Sequence, residues 1–62
     1  MSGGYNMSNK IRIGIMIRGI EVRSKEEVEG VVLNVYDHIV IVFPKQGSPA
    51  VVRKKDISAI FN

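Results

Sequence analysis

Sixty-two residues make one domain, shorter than the roughly 70–80 at which a single core supplies comfortable stability. The chain has no cysteine and one histidine, His38, which excludes a disulfide and leaves almost no room for a Cys/His zinc site, so association with further copies is the remaining support. Nine Lys/Arg against six Asp/Glu give +3 and a pI near 9.6, a balance that suits a polyanionic partner and equally suits a charge that only keeps the chain soluble.

Met1 to Asn9 carries paired glycines and no periodicity and reads as a flexible arm, with one domain over 10–62. It contains no apolar run of signal-peptide type. The longest wholly apolar stretch, Ile39 to Phe43, is five residues, against roughly 20 for a membrane-spanning helix. A soluble, cytoplasmic protein is the expectation, with no membrane partner.

From Lys10 the pattern changes. Ile11, Ile13, Ile15 and Ile17 alternate with Arg12, Gly14, Met16 and Arg18, the period of a half-buried strand. Gly19 interrupts it and Ile20 to Arg23 resumes it. Ser24-Lys25-Glu26-Glu27 has the form of a helical capping box, although β-branched valines close behind make a turn between strands an equal reading. Gly30 to Tyr36 reads as a second strand, with Val31, Leu33 and Val35 on one face. Asp37-His38 is a polar break. Ile39 to Phe43 has the continuous apolar character of a strand covered on both sides. Pro44 to Pro49 is a turn, and Ala50–Arg53 and Ile57–Phe61 are two further short strands. Five strands without a three-turn helix predict an all-β, strongly bent small barrel.

Catalytic constellations are missing. Asp37 and His38 are neighbours, whose side chains would diverge on a strand. Ser48 and Ser58 lack a nucleophile-elbow context, and no glycine spacing makes a phosphate loop. The chain is therefore read as a binding protein and not an enzyme, with no cofactor, no metal and no small-molecule substrate. Arg53-Lys54-Lys55 lies at a corner between two predicted strands, where a planar guanidinium and two ammonium groups can splay towards phosphates. The same triplet would also serve to block strand addition at a sheet edge. Arg12 and Arg18 share the polar face of the first predicted strand. Tyr36 and Phe43 read as core or subunit-contact residues, and base-stacking aromatics of the kind that RNA-binding sheets display are absent.

Glu29-Gly30 through Val42-Phe43, with Gly30, the Tyr36-Asp37 step, His38 and the apolar run in order, resembles the central strands of the Sm-like family, its bacterial Hfq branch most closely. Arg53-Lys54-Lys55-Asp56-Ile57-Ser58 is similar to that family's basic element leading into Ile-Ser. The resemblance covers about Val28 to Ile60. It implies a five-stranded SH3-like barrel, joined edge to edge through its fourth and fifth strands into a ring of six or seven subunits that binds single-stranded, uridine-rich RNA. Carried over by position, the RNA contacts are His38, Ile39, Lys54 and Lys55, beside Arg53. Two departures bear on base selectivity: Ile39 stands where Hfq carries an aromatic, and Lys54-Lys55 where it carries Lys-His. A second segment, Ile11 to Ile15 followed by Glu21 to Val28, is similar to part of the CsrA-type dimeric RNA-binding regulators, but in a different order along the chain. Outside the RNA readings stand a barrel that serves protein interaction or assembly, and a basic barrel that binds duplex DNA.

Overall fold

The computed structural model describes residues 11–61, so the arm expected over 1–9 lies outside the described residues. Four antiparallel strands, β1 (Met16–Glu21), β2 (Glu27–Val35), β3 (Ile39–Pro44) and β4 (Ala50–Phe61), close into a barrel in that order, and there is no helix among them. Inside lie Ile11, Ile17, Val32, Val40, Val42, Ala50, Val52 and Ile57. Alternation does the sorting: Val40 and Val42 point inwards while Ile39, Ile41 and Phe43 point outwards. The expectation that this strand is covered on both faces is corrected here, because Phe43 is 48 % exposed.

The fourth and fifth predicted strands are one. No glycine or proline separates Arg53 from Ile57, so β4 bends without breaking. Its first half pairs with β3 (Ile39↔Arg53 to Val42↔Ala50), and its second half with β1 (Met16↔Phe61 to Gly19↔Ile57). Gly19 makes the bend: a Cβ there would lie 2.6 Å from Val52 Cγ1 and 3.1 Å from the Asp56 carbonyl oxygen. Between Gly19 and Glu21 the partner on β4 jumps from Ile57 to Val52, which leaves residues 53–56 outside the β1–β4 ladder, at the barrel corner. The end of β1 then closes on the first half of β4, where Glu21 pairs with Val52 and the Val22 N–H donates to the Val51 carbonyl at 3.0 Å.

β1 starts five residues later than the isoleucine alternation predicts. Gly14 has φ +99° and the Ile15 N–H bonds back to the Arg12 carbonyl at 3.3 Å, so 12–15 is a turn with glycine where positive φ is needed. Ile11 is buried on one side of it, and Ile13 is 66 % exposed on the other. β2 presents Gly30 and Val32 inwards and Val31 and Leu33 outwards, so Val31 and Leu33 do share a face, and it is the outer one. A bulge follows: Val32 pairs with Val42 but Asn34 with Ile41. The extra residue, Leu33, resets the phase, so that Val35 packs against the core.

The capping-box segment forms a turn. Lys25 adopts left-handed φ (63°), and the Lys25 N–H bonds to the Glu21 carbonyl at 2.9 Å. The Glu21 carboxylate accepts the Ser24 N–H at 2.7 Å and the Arg23 N–H at 3.1 Å. These donors, the Ser24 backbone N–H foremost, hold the Glu21 carboxyl below its usual pKa. A carboxyl lowered in the folded state contributes stability that is present above the ordinary carboxylate range and lost as pH falls through the lowered folded value. Acid titrations of stability for the native chain and Glu21→Gln should therefore converge at low pH. A constant gap between the two at every pH would contradict this role.

Candidate nucleic-acid interface

The corner of β4 meets the β2–β3 turn. The Tyr36 N–H bonds to the Ile39 carbonyl at 2.9 Å, which closes the turn around Asp37 and His38, and the Lys54 N–H bonds to the His38 carbonyl at 2.9 Å. Together with the Ile39↔Arg53 pair, these bonds tie the turn to the basic triplet. Between them opens a cleft of about 460 Å³ lined by Asp37, His38, Ile39, Arg53, Lys54 and Lys55, a volume within the range of small-ligand sites.

All five residues singled out from the sequence, His38, Ile39, Arg53, Lys54 and Lys55, thus line one cleft. Successive side chains on a flat strand face opposite ways. Three consecutive cations share this cleft because β4 is bent where they sit. Asp37 also lines it, which sequence reasoning missed: on a turn, unlike on a strand, two adjacent side chains can face the same space. The wall carries three fixed positive charges and one carboxylate, so the cleft attracts anions. Ile39 adds a half-buried apolar surface, while His38, Arg53 and Lys55 are exposed.

The remaining candidates lie elsewhere. Arg12 is in the turn before β1 and Arg18 on β1, so they do not share one strand face. Arg18 instead reaches Glu29 at 3.4 Å and lies 5.5 Å from the centre of the Phe61 ring. The Ser58 hydroxyl donates to the Arg18 carbonyl at 3.3 Å. Ser48 lines a shallow depression at the far end of the β3–β4 hairpin, beside Glu21, Glu26 and Glu27. Tyr36 is 53 % exposed and, like the 48 % exposed Phe43, is not a core residue. Among the described residues no three His, Asp or Glu side chains are grouped to hold a metal ion, and no helix is long and apolar enough to cross a membrane.

Compared with protein-family models, curated proteins and solved structures, the chain matches none.

Proposed function

We propose that the cleft between the β2–β3 turn and the bend of β4 binds single-stranded RNA. The observation that carries this reading is the convergence of Arg53, Lys54 and Lys55 on one open cleft with His38 and Ile39. The cations suit phosphates. The planar imidazole of His38 and the apolar surface of Ile39 suit an unstacked base, which a single strand offers and a duplex hides. The sequence resemblance to Sm-like proteins supports the same partner and suggests oligouridine as the first probe.

Assembly into a closed ring of six or seven belongs to the same proposal. An incoming strand edge would meet β4 along 57–61, on the side away from β1, because the first half of β4 already has β3 on one side and Glu21–Val22 on the other.

Lys54→Ala/Lys55→Ala tests the site. Losing two phosphate contacts to a single strand should weaken oligouridine binding on the order of 20-fold at about 0.1 M salt, with the far-ultraviolet spectrum and melting curve unchanged. Equal affinity of the native and variant proteins at matched salt would remove the cleft as the binding site. A protein-interaction role is the second reading, and the exposed outer face of the sheet favours it.

A further inference from the structure

The outer surface of the barrel carries an apolar row that runs straight across all four strands. Register places Phe61 beside Met16, Met16 beside Val31, and Val31 beside Phe43. Each is an outward residue next to an inward one: Ile17, Val32 and Val42 are buried, and Ile60 packs against the core. Phe43, Phe61 and Val31 are 48 %, 40 % and 37 % exposed. Four strands at about 4.8 Å spacing make the row roughly 14 Å across. Isolated surface apolar residues are ordinary, but a contiguous row of large ones marks a contact surface.

The neighbouring row says what covers it. Two residues further along, Arg18 stands on β1 and Glu29 opposite it on β2, their side chains 3.4 Å apart and both more than 40 % exposed. We infer that this face packs against the same face of a second copy of the chain, about a two-fold axis that lies in the interface parallel to β1 and β2 and between them. That rotation exchanges β1 with β2 and the second half of β4 with β3. It sets Arg18 opposite Glu29 of the second copy and Glu29 opposite its Arg18. In the apolar row it sets Met16 on Val31 and Phe61 on Phe43. The pattern is self-complementary in both rows, as an isologous interface requires. The barrel surface is convex, so the flanks of the row fall away from the contact. The flanks are where the two phenylalanines stand, the bulkiest apolar side chains of the row. A small domain without a disulfide gains in this way the apolar burial that its own core lacks. The RNA cleft is left open, since its residues lie in the β2–β3 turn, at the start of β3 and at the corner of β4, outside both rows.

The prediction is a dimer, of twice the 6.9 kDa chain mass by light scattering, or an assembly that contains this dimer. Arg18→Glu and Glu29→Arg each place like charges opposite one another across the axis, so each variant alone should run at half the native mass. Mixed in equal amounts, they pair oppositely charged rows and should recover it. Phe43→Lys, at an outward position 48 % exposed, should also halve the mass with its melting curve still cooperative. A native monomer at high micromolar concentration would overturn the inference. So would a ring whose mass none of these substitutions changes, or two single variants that stay apart on mixing. Oligouridine affinity measured on the same variants separates this outcome from the fate of the RNA proposal, since none of the three residues lines the cleft.

Discussion

Gly30→Ala should lower the melting midpoint by at least about 10 °C. A Cβ built on Gly30 would lie 2.5 Å from the Phe43 carbonyl oxygen, 2.7 Å from the Phe43 carbonyl carbon and 2.9 Å from Pro44 Cα. All three are backbone atoms, so no side-chain rotation relieves the clash. β2 and β3 would have to separate where Gly30 faces Pro44, and the same residue pairs with Ile17 on β1 on its other side. Overpacking in a tight interior typically costs about 1–3 kcal/mol, and a clash with backbone on both neighbouring residues belongs at the upper end. A domain of this size holds roughly 3–9 kcal/mol in total. Each kcal/mol moves the midpoint of a small domain by about 4–8 °C. The expected fall is therefore at least about 10 °C. Gly19→Ala should be milder, because the nearest atom to its Cβ is a methyl of Val52. A Gly30→Ala midpoint within about 2–4 °C of the native one, the shift that an ordinary surface change produces, would mean that the strands do not approach as described.

The second large effect is expected in the salt dependence of the proposed RNA binding. Each phosphate neutralised on a single strand contributes about −0.7 to the slope of log affinity against log salt. Three cations in the cleft, Arg53, Lys54 and Lys55, give a slope near −2, or about a 20-fold loss of affinity between 50 and 200 mM salt. With Lys54 and Lys55 replaced by alanine, Arg53 alone remains, and the same change in salt should cost only about threefold. Asp37 works against the three, so Asp37→Asn should raise affinity without steepening the slope by a full phosphate. A native slope near zero would place the binding energy in apolar contacts, and a slope unchanged in the double variant would place it on other cations such as Arg12, Arg18 or Lys45.

Local chemistry was readable where it decides the structure. The alternation around Ile17, the run Ile39–Phe43, the turn Pro44–Pro49 and the basic triplet all appear where the residues indicate. The failures share a cause in non-local geometry. Nothing between Arg53 and Ile57 breaks a strand, yet whether the two halves form one bent strand depends on how closely Gly19 lets β1 approach. Val31-Val32-Leu33 is apolar in both phases, so its sequence could not say which side faces inwards, nor that a bulge at Leu33 would change the phase. Ile11 to Ile17 alternates as a strand would, but Gly14 at positive φ turns the chain between Ile11 and Ile15. The cleft was legible as a set of residue types and not as a shape. Its convergence comes from the bend of β4 towards Asp37-His38, and Asp37 joins it only because that step is a turn.

Amide chemical shifts followed while oligouridine is added at low salt locate the contact directly. The largest changes should fall on Asp37, His38, Ile39, Arg53, Lys54 and Lys55, with the Lys54 N–H that bonds to His38 among them. Changes concentrated on Met16, Val31 and Phe43, or a spectrum that oligouridine leaves unaltered, would contradict it.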